Sequence, residues 1–545
     1  MKKLRSLAVA AGLCGLFWLT VSDRHSPSRS DPEMTPIQRV SAGGKAQPVT
    51  AALSELGPRP VSALRPNREG EGDSRIESGF TEAEILKLID QAMQLPPDPD
   101  IDVLGEPEAG LTFSAGTSFD SIDVSECCGG GTLNPPDPEL AVGQDHVIAV
   151  VNAAVEIYDK AGTSLFGPLD LESFFSGLGL GCTAFAFDPN VLYDESADRY
   201  IIAADGNGTE YCVAVSQTGD ATGSYNFYAF PVDVSGEFFD YPHAGVGEEA
   251  IYVGANMFGA FTGRVFAFEK AAMYAGTPAA QATQSLGGDT TPQPMNIKGD
   301  FPTDGRHYII TTRSGAGVFQ LYSWEDPFGA NVITDLGSLD LPAAHGVSIG
   351  FGVNSPQMGG VGIGSIGPRP LDFEYRDGFG WVTNLVSCNP GGGTVNCIQW
   401  GQIDVGAASI AQTGVFATDG EYRIFPDLAV NRCGDMAVGY TKATADTFPS
   451  VWIAAREAGD PPGTMQGELE IKAGEVAFGE SRWGDYSGMT MDPDGTTFWY
   501  LGEYSKDTIS TRNWGNFIGS VSFAGCADST IFADGFESGD TTRWN

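Results

Sequence analysis

Short apolar runs of β-branched and aromatic residues return at intervals through the middle of the chain. Val147-Ile148-Ala149-Val150-Val151 comes first, then Tyr200-Ile201-Ile202, Ile251-Tyr252-Val253, Tyr308-Ile309-Ile310, Trp381-Val382, Met436-Ala437-Val438 and Phe498-Trp499-Tyr500. Each follows an aspartate across a loop of roughly ten residues. These are Asp137, Asp188, Asp240, Asp300, Asp372, Asp427 and Asp485, spaced 51, 52, 60, 72, 55 and 58 residues apart. Second runs, such as Cys212-Val213-Ala214-Val215 and Val451-Trp452-Ile453-Ala454, fall inside the units, with Gly, Asn and Asp between them. Runs this short, punctuated in this way, read as strands. The regular return of a multi-strand unit predicts sheets repeated around one axis. The expected fold is therefore all-β, a seven-bladed β-propeller over residues 110–525. The last unit, Asp485 to Phe523, has 39 residues, enough for three strands. Gly110-Leu111-Thr112-Phe113-Ser114 is expected to lend the fourth, because closing the ring removes exposed sheet edges.

Different patterns precede and follow this region. Lys2, Lys3 and Arg5, an apolar stretch from Leu7 to Leu19 and the small residues Thr20-Val21-Ser22 predict a signal peptide over 1–22. Residues 23–80, rich in Pro, Ser, Gly and Arg, predict a flexible leader. Over 81–109 a short helix and a linker are expected. Thr81 and Glu84 make a capping box, Ile85, Leu86, Ile89 and Met93 share a face, and Pro96-Pro97 stops the helix. Residues 526–545 form a C-terminal tail.

Several blocks resemble a group of uncharacterised exported bacterial β-propeller proteins. They are Asp137-Pro138-Glu139-Leu140-Ala141-Val142-Gly143 with Val155-Glu156-Ile157-Tyr158-Asp159-Lys160, Phe239-Asp240-Tyr241-Pro242 with Asn256-Met257-Phe258, and Arg482-Trp483-Gly484-Asp485-Tyr486-Ser487 with Glu503-Tyr504. This resemblance covers about residues 130–523 and implies fold and export, not an activity. Thr490-Met491-Asp492-Pro493-Asp494-Gly495 before Phe498-Trp499 is similar to the Asp-box turn of sialidase-type propellers, with one extra residue between Asp and Gly. Such a turn is structural. Phe532-Ala533-Asp534-Gly535-Phe536-Glu537-Ser538-Gly539-Asp540 resembles a short tail found on exported proteins of Gram-negative bacteria, which implies secretion or a cell-surface location.

Composition narrows the function classes. The chain has 545 residues, 70 acidic and 30 basic, for a net charge of −40. That balance disfavours nucleic acid and anionic lipid, which need Lys and Arg on the protein. Removal of the signal peptide leaves no apolar run long enough for a transmembrane helix. Of nine cysteines, eight remain after the signal. An even count in an exported chain favours disulfides, and Cys388 and Cys397, flanking a Gly-rich turn, are expected to pair. No C-x-x-C or H-E-x-x-H spacing suggests zinc.

Candidate chemistry centres on the aspartates that start the units. Their carboxylates suit turn formation. Lys298, Arg369, Arg423 and Arg482 precede four of them, which predicts either ion pairs locking the blades or a cationic pocket for an anionic group. Arg369, Arg423, Arg482, Tyr422 and His243 are the candidate ligand-binding residues. Asp427, Asp485 and Tyr486 are the candidate catalytic groups, since glycosidases need paired carboxylates or a Tyr nucleophile. Gly346-Val347-Ser348-Ile349-Gly350 matches a nucleophile-elbow pattern but lacks the α/β context. Acidic loops admit structural Ca²⁺, with Asp492 and Asp494 as candidates, although their Gly spacing departs from an EF-hand loop. No other cofactor is expected. The expected function is an extracellular or cell-surface module, a monomer, binding a glycan or other anionic ligand without a defined catalytic activity. The alternative is a sialidase-like glycoside hydrolase or a polysaccharide lyase acting on acidic glycans.

Overall fold

The computed structural model describes residues 45–56, 81–104, 111–127, 133–259, 261–313, 316–508, 510 and 512–527. The expected signal peptide, most of the expected leader and residues 528–545 lie outside them. Among the described residues, seven sheets follow one another, antiparallel in chain order over 139–170, 186–231, 238–285, 290–340, 370–417, 422–472 and 488–523. Asn296–Ile297 and Asp102–Val103 add to the two edges of the fifth sheet by parallel pairing. The first strands of consecutive sheets contact each other, and that of the seventh sheet contacts that of the first.

Burial explains why the strands read as continuous apolar runs. Side chains alternate between the two faces of a strand. In His146–Val151, Ile148 and Val150 pack into a core shared with Tyr193, Tyr200 and Ile202 of the second sheet. Val147 and Ala149 pack on the other side against Trp499, Leu501 and Ile518 of the seventh sheet. Both faces are thus buried, so both must be apolar. Each neighbouring pair of sheets has such a core, the seventh-to-first pair included. At about 1.5–3 kcal/mol for each Val, Ile or Phe taken from water, these cores dominate the stability.

Five described elements precede the sheets: strand β1 (Val49–Ala52), a short 3-10 helix (Leu53–Glu55), helix α1 (Glu82–Ala92), and strands β2 (Asp102–Val103) and β3 (Phe113–Asp123). β3 is the outermost strand of the seventh sheet, pairing Phe113 with Phe523 and Ser114 with Ser522. It reaches nine residues beyond the Ser114 expected as its end. The leader expected to be flexible needs correction in part. Val49–Ala52 pairs antiparallel with Ser224–Pro231 as a fifth strand of the second sheet. Its Val and Thr suit a strand, and it covers an edge that would otherwise be open. The capping box of α1 is formed: the Glu84 amide donates to Thr81 Oγ1 at 3.3 Å, and the Thr81 amide donates to Glu84 Oε2 at 2.9 Å.

Cys388 is bonded to Cys397, Cys182 to Cys212 and Cys433 to Cys526. No helix among the described residues is long and apolar enough to cross a membrane.

Candidate functional site

The backbone shows that the unit-starting aspartates occupy more than one structural position. Asp137, Asp188, Tyr241, Thr291 and Phe425 all have left-handed φ, from 45° to 58°. Each is followed by proline and then by a polar residue: Glu139, Asn190, His243, Gln293 and Asp427. In four of these strands the register breaks at this point, between Phe187 and Asn190, Asp240 and His243, Thr290 and Gln293, and Ile424 and Asp427. Such bulges bend the strand and re-aim a side chain. Asp137 and Asp188 hold the left-handed position, Asp240 lies one residue before it, and Asp427 lies two after it. Asp300 is in no first strand at all; it lies in the loop after Asn296–Ile297. The recurring signal is residue–Pro–polar, visible in the sequence but masked by attention to aspartate.

Asp137, Asp188, Asp240 and Asp485 gather around a cavity of about 40 Å³ with Arg482, Asn152 and Phe187. Arg482 grips Asp485 with two bonds, Nη1 to Oδ1 at 2.7 Å and Nη2 to Oδ2 at 2.5 Å. The Asp137 carboxylate accepts the Asp485 amide at 2.7 Å and Asn152 Nδ2 at 2.7 Å, tying the seventh unit to the first. Asn152 Oδ1 in turn accepts the Asp188 amide at 2.9 Å. The Tyr486 hydroxyl donates to Asp188 at 3.2 Å. Burial holds the Asp188 carboxyl well above its usual range, helped by the charges of Asp240, Asp137 and Asp485. Burial and then Asp137 do the same to Glu503.

A deeper set of carboxylates joins one sheet to the next. Glu139 accepts the Val191 amide at 3.2 Å, Glu374 the Val430 amide at 2.7 Å, and Asp427 the Met489 amide at 2.6 Å. Burial and then the charge of Asp372 hold the Asp427 carboxyl well above its usual range. Burial pushes Glu139 and Glu374 up to about 8 and Asp372 up to about 7. Asp427 is therefore a staple between sheets and does not line the cleft that holds Asp485.

The candidate arginines do not meet. Arg423 is fully buried and turns to its own sheet, donating Nε to Glu468 at 3.0 Å and Nη2 to Glu421 at 2.7 Å. Lys298 lies 3.8 Å from Glu195. Arg369 lies over the Tyr241 ring, 4.6 Å from its centre. Tyr241, His243 and Tyr486 form a trio with ring centres 4.6 to 5.0 Å apart. Burial and then Arg369 lower His243 to about 3, so it is neutral at physiological pH. Tyr422 packs instead on the apolar cluster of Val347, Val386 and Val415.

Asp492 and Asp494 shape a turn. Asp492 accepts Trp499 Nε1 at 3.1 Å and pairs with Lys160 at 2.8 Å, and Asp494 accepts the amides of Thr496 and Thr497 at 2.6 and 2.8 Å. Among the described residues, the one group with donor atoms close enough for a metal is Cys433, Asp435 and Cys526, and its two sulfurs form a disulfide. Ser348 lies in a loop, where its amide donates to Asp98 at 2.9 Å.

A second and larger cavity, about 440 Å³, was not foreseen. It lies between α1 and the start of the fourth and fifth sheets, and Arg369 is part of its wall. No local sequence signal marks it, because its walls come from six separate stretches of chain.

No protein-family model and no curated protein matches this chain. Among solved structures it is similar to the polysaccharide lyase Uly1, with a TM-score of 0.38 and 10% identity over 72% of this chain and 91% of that one. It is also similar to the Hadza microbial sialidase Hz136, with a TM-score of 0.34 and 12% identity over 70% and 74%. The endo-arabinase from Bacteroides thetaiotaomicron has a TM-score of 0.27 and 10% identity over 58% and 88%. Values this low carry neither fold nor activity from those proteins to this chain.

Proposed function

We propose that the protein is an exported seven-bladed β-propeller, closed by β3, that binds an anionic ligand, acidic glycans included, and performs no chemistry on it. The ring is supported by the contacts between first strands and by the core between the seventh and first sheets. Export is supported by the disulfides, which persist in oxidising compartments. Cavity size favours binding over hydrolysis. The carboxylate cleft beside Arg482, with Tyr486 and Asp188 at hydrogen-bond distance, has the residue types of a glycosidase. Its 40 Å³ has room for ordered water and none for a sugar ring. The cavity of 440 Å³ falls within the size range of ligand sites.

The observation that carries the reading is Arg369. Its side chain is 2% exposed, yet it belongs to the wall of the larger cavity, in a protein of net charge −40. A buried guanidinium there suits a carboxylate or sulfate. The test is a panel of carboxylated, sulfated and neutral ligands titrated against the wild-type protein and Arg369→Gln. Anionic ligands are expected to bind, and the substitution to weaken them about tenfold or more. Equal binding of neutral ligands, or turnover of a glycan, overturns the reading.

A further inference from the structure

The geometry points to a monocarboxylate with an apolar body, such as a medium-chain fatty acid, as the occupant of the cavity under α1. This narrows the reading above and rests on it. The walls on most sides are apolar: Leu88 and Leu95 from the α1 segment, Phe261 from the third sheet, and Ile349, Phe351 and Pro368 from the loop before the fifth. Sugar hydroxyls set against those side chains lose water and gain no partner, which opposes their burial. A hydrocarbon body is favoured in proportion to the apolar area it takes out of water.

Polar side chains also line the cavity: Arg369, Arg313 and Thr312, with Gln91, Thr290 and Thr291. Among the described residues the buried Thr312 hydroxyl has no hydrogen-bond partner. Arg313 is already flanked by Asp289 at 3.5 Å and Asp335 at 3.8 Å. A dianion such as phosphate would meet those two carboxylates, whereas a single carboxylate makes less of that repulsion and can take two parallel bonds from a guanidinium. The cover is anchored. Thr394 Oγ1 donates to the Ala92 carbonyl at 2.8 Å, and Asn389 Nδ2 donates to the Leu95 carbonyl at 2.7 Å. The apolar wall on the α1 side is thus fixed to the hairpin of the fifth sheet that carries Cys388 and Cys397.

The test is calorimetry on the whole protein with three probes: decanoate below its micelle concentration, 1-decanol and glucuronate. Decanoate is expected to bind, decanol about tenfold or more weaker, and glucuronate weakest. Leu88→Trp narrows the cavity without replacing any of its polar side chains and is expected to remove decanoate binding while leaving the unliganded melting temperature unchanged. Arg369→Gln is expected to abolish the preference for decanoate over decanol; should that variant not fold, Leu88→Trp carries the test. Binding of glucuronate without decanoate overturns this inference and leaves the anionic-ligand reading standing. Binding of neither anion overturns both. Decanoate binding undiminished in Leu88→Trp places that ligand elsewhere and overturns the inference alone.

Discussion

Arg423, one of the three arginines that the sequence offers as ligand-binding, serves the structure. Arg423 is surrounded by Glu468, Glu421 and the Tyr440 and Phe416 rings, and Lys442 also reaches Glu468, at 2.6 Å. These two cations keep the Glu468 carboxyl below its usual range against the opposing effect of burial. Removing one partner of a buried pair leaves the other uncompensated. Arg423→Ala is therefore expected to cost about 3–5 kcal/mol in urea denaturation, with ligand binding at Arg369 unaffected in the protein that remains folded. Arg369 sits just ahead of the first strand of the fifth sheet, and Arg423 is the second residue of the first strand of the sixth. Arg423 has Glu468, on the fourth strand of the sixth sheet, as an acceptor that only strand pairing brings to it.

At the scale of elements, β3 and the disulfides close the chain. β3 supplies the outer strand of the seventh sheet, and Phe113 packs with Phe523 at a ring distance of 5.6 Å. Phe113→Asp puts a charge into that core, and loss of more than about 3 kcal/mol is expected, with exposure of an edge that favours aggregation. Light scattering on warming checks this. Cys433–Cys526 spans 93 residues and joins the sixth sheet to the end of the seventh, whereas Cys388–Cys397 spans nine. Loop entropy gives the longer bridge about 4–5 kcal/mol and the shorter about 2–3 kcal/mol. The Cys433→Ser/Cys526→Ser double variant is thus expected to melt lower than Cys388→Ser/Cys397→Ser. A reverse order in calorimetry contradicts that expectation.

The whole molecule should prefer mildly acidic conditions. Glu139 and Glu374 are pushed up to about 8 and Asp372 up to about 7, all by burial first, and Asp188, Asp427 and Glu503 move the same way. Their ordinary values are 3.8 for Asp and 4.5 for Glu. Between those values and the raised ones the folded protein binds more protons than the unfolded chain, so stability falls as pH rises. His243, His307 and His345, held by burial below their ordinary 6.5, act in the opposite sense under that value, so the melting temperature is expected to fall most clearly from pH 6.5 toward pH 8. Carboxyls held low, such as Asp194 beside Lys270 and Glu468 beside Arg423, act in the opposite sense and only below the ordinary range. Glu374→Gln removes one of the raised groups, and its melting temperature should depend less steeply on pH. An unchanged slope would mean that Glu374 ionises as freely in the folded state as in the unfolded one.

Alternation of side chains and the spacing of turns are local properties, so the strands, their recurrence in seven units and the capped helix α1 were all legible in the amino-acid order. The residue–Pro–polar repeat was legible as well, since proline and left-handed φ leave a local mark. Other features depended on which sheet stands beside which. Pairing alone put Val49–Ala52 on the second sheet, separated Asp427 from Asp485, and gave Arg423 to Glu468. It also drew six distant segments together around the cavity that includes Arg369. Contacts between residues hundreds of positions apart leave no periodicity to read, and burial, which decides what a charged group can do, exists only once those neighbours have met.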